Sequence, residues 1–279
     1  MPFHPPMVPE MIAVWNAALG DAFPLDEALF RQNAVENPHF APAGCHVACR
    51  PEDGRVLGFS IAKVAREPIG ADGLLPDRGW ISMIAVLPSM QRRGLGTALL
   101  RRGEEFLRDA GRRRSVLGGD PGHFFPGVPV GSAALAFFGA RGYRLRGDAY
   151  DLRRSLTGYR TPAGVEPVPA GRSDLEIRPL RREEDRALLA FLDAVFPGRW
   201  RYTVERWLEG GGAVEEVMGW CATRRSWGLR IYSTRVLVGS ARASRGRAGR
   251  GAGPAVWAPW GLRPTCAGGA SGWRSWIAR

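Results

Sequence analysis

The sequence contains no apolar run close to the roughly 20 residues that a membrane-spanning helix requires, so an integral membrane protein is not predicted. Its first residues are rich in proline and lack a basic start, unlike a secretory signal peptide. The chain has only four cysteines in 279 residues, and their spacing matches neither a zinc site nor a disulfide scaffold. These absences predict a cytoplasmic protein that holds no metal.

Acidic residues are missing from one end of the chain. Residues 220–279 contain no Asp, Glu or Lys but eleven Arg, and because the formal net charge is +12, residues 1–219 carry only +1. A strongly basic protein suggests a nucleic-acid or membrane partner. Here the charge belongs to one segment without the periodicity of a basic helix. Nucleic-acid binding through the Arg-rich tail is therefore an alternative function and not the first expectation.

One stretch, residues 84–100, has the pattern of a strand, a turn and a helix. The turn contains proline and is followed by two arginines and two glycines. The first N–H groups of a helix have no partner within the helix and lie at the positive end of its dipole. Glycine permits close approach to the main chain, and arginine adds charge. The stretch therefore predicts a phosphate-binding site.

The motif Gln-Arg-Arg-Gly-Leu-Gly at residues 91–96, preceded by a strand and Val-Leu-Pro, resembles the Gln/Arg-x-x-Gly-x-Gly/Ala loop of the GCN5-related N-acetyltransferases (the GNAT family). The resemblance implies that this loop holds the diphosphate of acetyl-CoA. It also implies that main-chain groups of the preceding strand hold the pantetheine arm, with one N–H facing the thioester oxygen. The residues expected to bind acetyl-CoA are Ile84, Ala85, Val86, Gln91, Arg92, Arg93, Gly94, Leu95, Gly96 and Thr97.

The order of the predicted elements is that of a GNAT domain over residues 8–154. The resemblance implies an α/β fold for residues 1–155, with a mixed, mostly antiparallel sheet flanked by helices. The family's first strand should precede the helix that begins at Glu10, where only residues 1–9 are present. A Pro/Gly-containing linker follows at residues 156–174. Residues 175–219 then resemble the opening of a partial second GNAT domain.

The remaining segment, residues 220–279, is rich in Arg, Gly and Trp, holds six of the ten tryptophans and lacks hydrophobic periodicity. An irregular tail is predicted, either disordered or a nucleic-acid arm. A third interpretation is a frameshift near Gly219. Back-translated residues 257–277, read from the third base of each codon, permit P-D-L-R-G-R-G-L-G-L-A-L-L-D, which resembles a second acetyl-CoA loop. Residues 220–230 permit V-R-D-A-A-V-V-G-F-A, which resembles the hairpin before such a loop.

Acetyl transfer also needs a base for the amine and an acid or other stabilisation for the leaving thiolate. The family helix that often supplies a Tyr acid is matched at residues 134–143, but Phe138 replaces that Tyr and Gly131 replaces a preceding Asn. The remaining catalytic candidates are Tyr143 and Ser132 as acids and His123 as a titratable base. Tyr143 and His123 each have a structural alternative, since the position of Tyr143 normally packs in the core and His123 fits an exposed loop.

The sequence thus predicts an N-acetyltransferase that uses acetyl-CoA to acetylate a primary amine of a small molecule or peptide. The replaced acid supports a second possibility, a catalytically weak or inactive acetyl-CoA-binding module. The sequence does not identify the acceptor.

Overall fold

The computed structural model describes residues 1–122, 125–152, 155, 157–160, 163, 175–222, 231–235 and 270–278. The chain divides into two compact units, Met1–Ala149 with Gly272–Arg279, and Tyr150–Ser271. In chain order the strands of the described residues are β1 (Cys45–Cys49), β2 (Val56–Lys63), β3 (Arg78–Val86), β4 (Arg114–Leu117), β5 (Val128–Pro129), β6 (Arg144–Leu152), β7 (Leu175–Pro179), β8 (Met218–Ala222), β9 (Ile231–Arg235) and β10 (Ala270–Ala278).

The α-helices of the described residues are α1 (Val8–Leu19), α2 (Glu27–Phe30), α3 (Leu95–Asp109), α4 (Ala134–Gly139), α5 (Asp185–Val195) and α6 (Arg199–Glu209). Helix α2 begins where the Asp26 carboxylate accepts a hydrogen bond from the N–H of Leu29 at 2.7 Å. It continues into a π-helical turn, Arg31–Val35. The helical segment therefore changes type in its middle.

The first unit is built on one mixed, mostly antiparallel sheet, as predicted. Its strand order is β1-β2-β3-β4-β10-β5, and β6 also pairs with β10. Neighbouring strands run antiparallel in the β1–β2, β2–β3, β4–β10 and β5–β10 pairs. Only the β3–β4 pair among those described is parallel. Helix α3 supplies the crossover between these two parallel strands.

Helices cover both faces of this sheet, which explains why every residue of β2 is buried. On one face, Phe59 and Ile61 of β2 share a cluster with side chains of α1 and α2. On the other face, Ala62 of β2 joins a cluster with Leu100 and Leu107 of α3. These two faces are called the α1–α2 face and the α3 face below.

Strand β3 contains a β-bulge at its centre. Met83 pairs with Ile61 and Ile81 pairs with Ala62, so Ser82 is the extra residue. Strand β4 accompanies β3 only as far as the Leu117–Ile81 pair. Beyond that point β3 runs on to Val86 without β4 beside it, which leaves an open edge between the two parallel strands.

A short contact joins the start of the chain to β1. Pro2 forms an isolated antiparallel bridge with His46 of β1. The Met1 ammonium donates to the Val47 carbonyl at 2.7 Å, and the Val47 N–H donates to the Met1 carbonyl at 3.1 Å. Residues 1–2 thus occupy the place of a strand that precedes α1.

The second unit has its own sheet and core. Strands β7, β8 and β9 form an antiparallel sheet in that order. The bidentate pair between Arg178 of β7 and the Glu184 carboxylate, at 2.7 and 2.8 Å, lowers the Glu184 pKa through hydrogen bonding. The core consists of Leu180, Leu188, Leu192, Val204, Val214 and Val217.

Parts of the segment expected to be irregular are strands. Residues 220–222 end β8, residues 231–235 form β9, and residues 270–278 form β10. Strand β10 belongs to the sheet of the first unit, where it lies beside β4. Strand β6 also pairs with β10. The rest of this segment lies outside the described residues. In the described parts of the chain, no helix is long and apolar enough to cross a membrane.

Candidate functional site

Past the Leu117–Ile81 pair, no strand of the described residues pairs with β3 on the side of β4. Just past the end of β4, the Gly118 N–H donates to the Ile81 carbonyl of β3 at 3.0 Å. Past the bulge, the Leu87 N–H donates to the Leu57 carbonyl of β2 at 2.9 Å. Because successive residues of a strand point their main-chain groups to opposite sides, Ile84 and Val86 direct theirs away from β2, into the open edge. Ala85 directs its own toward β2.

The turn after β3 is fixed to the end of that strand by Gln91. Its side-chain amide donates to the Val86 carbonyl at 3.1 Å. This contact satisfies one of the two carbonyls that face the open edge and leaves the Val86 N–H directed there. Gln91, predicted to bind acetyl-CoA, therefore has a main-chain contact that positions the loop.

The loop itself presents free N–H groups at the start of α3. The first helical hydrogen bond runs from the Ala98 N–H to the Gly94 carbonyl at 3.0 Å. The N–H groups of Leu95, Gly96 and Thr97 therefore have no acceptor within the helix. Arg92 and Gly94 have positive φ angles of 61° and 86°. Such left-handed residues turn successive N–H groups toward one point, where an anion is stabilised.

The two glycines of the loop are explained differently. Gly94 needs its left-handed φ, which a residue with a Cβ adopts only under strain. Gly96 has an ordinary helical conformation, and a Cβ there would meet the Phe137 ring at 3.5 Å, which is normal van der Waals contact. The protein alone therefore leaves room for a side chain at position 96. The glycine leaves the main chain there open to close approach.

A third arginine, which sequence reasoning missed, lies beside this site. The Arg141 guanidinium donates to the Thr97 hydroxyl at 2.6 Å and to the Phe137 carbonyl at 2.8 Å. It also lies over the Phe137 ring at 3.8 Å from its centroid. Arg141 follows α4 and is 44 residues from Thr97 in sequence, so only the packing of α4 near α3 brings it to the loop.

The catalytic candidates occupy separate places. The Tyr143 hydroxyl donates to the Glu104 carboxylate at 2.9 Å and lies 2.9 Å from the Ser115 hydroxyl, and burial raises the pKa of Tyr143. Ser115 pairs with Gly79, before the point where β3 and β4 part. Tyr143 is thus held away from the open edge and contributes to the α3-face cluster.

Ser132 lies two residues before α4, and its hydroxyl donates to the Pro129 carbonyl at 2.8 Å. No hydrogen bond joins it to Tyr143 in the part of the chain that the structure describes. His123 lies outside the described residues. Phe138, at the position of the family's acid, is buried against the Tyr143 and Phe137 rings. The structure therefore does not bring Tyr143 and Ser132 together.

The comparisons with known proteins agree with this geometry. A model described as the acetyltransferase (GNAT) family matches residues 11–123. A fungal multi-domain GH3 β-N-acetylglucosaminidase structure, noted for a GCN5-related glucosamine N-acetyltransferase region, is 21% identical with a TM-score of 0.64. The alignment covers 82% of this chain and 26% of that one, so this chain spans about a quarter of the fungal protein.

A GCN5-related N-acetyltransferase from Sphaerobacter thermophilus is 16% identical with a TM-score of 0.57, and the alignment covers 80% of this chain and 66% of that one. Both identities are low, so these structures show the shared fold. Comparison with curated proteins gave no match. The family model thus matches the part of the first unit that contains most of α1, the open edge and the anion-binding loop.

Proposed function

We propose that the first unit transfers the acetyl group of acetyl-CoA to a primary amine of a small molecule or peptide. The observation that carries this proposal is the anion site at the start of α3, next to the open edge of β3. A diphosphate fits the free N–H groups of Leu95 to Thr97, and an extended amide-containing arm fits the main-chain groups of Ile84 and Val86. The space left at Gly96 supports close approach of a phosphate to the main chain.

Acetyl-CoA supplies an acetyl thioester, whose carbonyl carbon accepts the amine. The main-chain N–H groups of Ile84 and Val86 are held in place by the pairing of β2 with β3. In this proposal one of them donates to the oxyanion that develops on the thioester carbonyl, and the main chain need not move to do so. Arg92, Arg93 and Arg141 add positive charge around the phosphates. Ser132 is the partly exposed hydroxyl among the predicted acids, and in this proposal it, or water, assists the leaving thiolate.

Release of free thiol tests the proposed reaction. The full chain is mixed with acetyl-CoA and a panel of amines, and thiol is measured with a colorimetric reagent. Glucosamine belongs in the panel because of the fungal neighbour, beside other amino sugars, polyamines and peptides with free N-termini. We expect amine-dependent thiol release and a product heavier by one acetyl group. CoA binding without release for any amine would support the inactive binding module instead, which the replacement by Phe138 motivates.

We also propose a cytoplasmic location for this protein. Cys45 and Cys49, the cysteines described as free, form no disulfide. Burial raises the pKa of Cys45 to about 12. The thiol therefore stays protonated, as in a structural cysteine of a reducing compartment.

We further propose that residues 175–279 derive from a second GNAT domain. The second unit has the order β7, α5, α6, β8, β9, with β7 antiparallel to β8 and β8 to β9. The first unit begins in the same order, with residues 1–2 bridged antiparallel to β1, followed by β2. The fungal and Sphaerobacter structures each cover at least 80% of this chain, more than residues 1–155 can supply, which supports a related second unit.

The second copy lacks its own Gln/Arg-x-x-Gly-x-Gly loop in this reading frame, and we propose that a frameshift near Gly219 removed it. Resequencing the gene across the codons for Met218 to Cys221 is expected to show a one- or two-base insertion or deletion. The corrected frame should encode Arg-Gly-Arg-Gly-Leu-Gly downstream. An intact reading frame across these codons would contradict the proposal.

A further inference from the structure

A buried ion pair lies on the α1–α2 face, next to the point where β3 and β4 part. The Lys63 ammonium and the Asp120 carboxylate are 2.7 Å apart, with side chains 0% and 1% exposed. Lys63 also donates to the Asn33 carbonyl in the π-helical turn. Burial of two charges is costly unless they are well paired and hydrogen-bonded. The pair therefore needs an explanation beyond the stability of the fold.

Lys63 is the only lysine in the chain, in which the other 38 basic residues are arginines. Lysine carries a compact charge on a flexible stem, whereas arginine presents a broad planar fork. At the buried end of β2 the compact ammonium reaches the Asn33 carbonyl and one oxygen of Asp120. This arrangement fixes Asp120 through Oδ2 and leaves its other oxygen available.

Asp120 is placed at the open edge by the loop after β4. The Gly118 N–H is bonded to the Ile81 carbonyl at 3.0 Å, and Asp120 follows two residues later. Two residues span at most about 7 Å. The loop is held by the Asn37 side chain, which donates to the Pro121 carbonyl at 3.1 Å. It is also held by the Gly119 N–H, which donates to the Phe125 carbonyl at 2.8 Å.

Two buried oxygens at this place have no hydrogen-bond partner among the described residues, namely Asp120 Oδ1 and Ser82 Oγ. Ser82 is the extra residue of the bulge, next to Met83, whose side chain packs on the α1–α2 face. Buried polar atoms are almost always paired. An unpaired oxygen on β3 and another on the loop after β4 are therefore suited to an incoming donor, such as a protonated amine or the water that replaces it.

We propose that Asp120, fixed by Lys63, accepts the proton of the acceptor amine, with Ser82 as its neighbour at the open edge. The proposal rests on the acetyl transfer proposed above. The anion site begins on α3, so the acyl donor and the amine approach the open edge from opposite faces of the sheet. The ammonium group loses one proton to Asp120 Oδ1, directly or through one water. The neutral nitrogen forms the C–N bond to the acetyl carbon and the C–S bond breaks. The second proton of the nitrogen passes to the leaving thiolate sulfur, and the proton on Asp120 later passes to water.

Two basic groups, His39 and Arg66, lie in the segments that follow the π-helical turn and β2. His39 is buried, and its Nδ1 accepts a hydrogen bond from the Arg66 N–H at 3.2 Å. The Arg66 guanidinium donates to the Phe40 carbonyl at 2.9 Å. Both variants described below leave His39 and Arg66 unchanged.

The test compares Asp120→Asn with wild type, using acetyl-CoA and glucosamine, or the most active amine of the panel. A general base contributes about 10²- to 10⁴-fold, and we expect kcat to fall by that factor while the Kd for CoA stays within about twofold. The ratio of variant to wild-type kcat/KM should rise with pH, because the amine then arrives neutral. A ratio that is the same at every pH would show a structural role and overturn the proposal.

A second variant keeps the test valid if Asp120→Asn leaves Lys63 unpaired and unfolds the protein. The double variant Lys63→Met/Asp120→Asn removes both charges, so no buried charge lacks a partner. We expect it to fold and bind CoA yet remain as slow as the single variant. Wild-type turnover restored in the double variant would overturn the role of Asp120 alone. Absence of turnover by the wild-type chain with every amine would overturn the proposed acetyl transfer, and this proposal with it.

Discussion

Replacing Arg92 and Arg93 together by glutamate is expected to abolish measurable CoA binding. Both side chains are exposed at the start of α3, beside the N–H groups of Leu95, Gly96 and Thr97. A charge-assisted hydrogen bond contributes about 1.5–3 kcal/mol, so loss of two such contacts alone weakens binding by roughly 10²- to 10⁴-fold. The introduced carboxylates also repel the phosphates, which places the expected effect at the upper end of that range.

Calorimetric titration with CoA, at low and at high salt, checks this prediction. The matched control is Arg108→Glu/Arg113→Glu, which makes the same change in net charge at the other end of α3. That end lies roughly 20 Å along the helix at 1.5 Å per residue, beyond a Debye length of about 8 Å at physiological salt. The control should bind CoA nearly as wild type does. Equal losses in the two double variants would mean that overall charge, and not the loop, attracts CoA.

The loop was predictable from sequence because its residues are contiguous. A strand, a Pro-containing turn and the Gly-x-Gly pattern specify the free N–H groups of a helix start by local geometry alone. The positive φ of Arg92 was not predictable, since non-glycine residues rarely adopt it. Gln91 was correctly placed in the loop, but its bond to the Val86 carbonyl is visible only in the structure.

The remainder of the site depends on contacts between residues distant in sequence. Arg141 reaches Thr97 only because α4 packs near α3. Lys63 and Asp120 are 57 residues apart, and nothing in the local sequence of either indicates an ion pair. The bulge at Ser82 arises from the register of β2 and β3, which depends on both strands. Each of these features requires the completed sheet.

The catalytic candidates show the limit of reasoning by family position. Tyr143 was considered as an acid because it has a hydroxyl near the expected segment. In the structure its hydroxyl is engaged with Ser115 and Glu104, and burial opposes its ionisation. The position at which the family often carries its Tyr acid holds Phe138, whose ring packs against the Phe137 and Tyr143 rings. Core packing explains why Tyr143 and Phe138 stand at these positions. The sequence pattern alone does not distinguish such packing residues from catalytic ones.

Deleting residues 270–279 is expected to unfold or aggregate the first unit. Strand β10 pairs with β4 through Trp276–Leu117, Ile277–Val116 and Ala278–Ser115, and with β5 through Trp273–Pro129 and Arg274–Val128. Its removal exposes the outer edge of β4 and separates β5 from the sheet. At about 0.5–1.5 kcal/mol for each net hydrogen bond, the loss is on the order of 5 kcal/mol, a large part of the roughly 5–15 kcal/mol that holds a domain together.

Thermal melting of the full chain and of the deleted chain, followed by circular dichroism, measures this loss. The point variant Ile277→Asp places a charge at a half-buried position of β10 and should lower the melting temperature, whereas the conservative Ile277→Val should not. An unchanged melting temperature after deletion would show that β10 does not stabilise the sheet. That result would not bear on the proposed frameshift, because main-chain pairing requires no particular side-chain sequence. A segment translated out of frame can still pair with the edge of β4. Sequencing the gene and deleting the segment therefore address two separate claims.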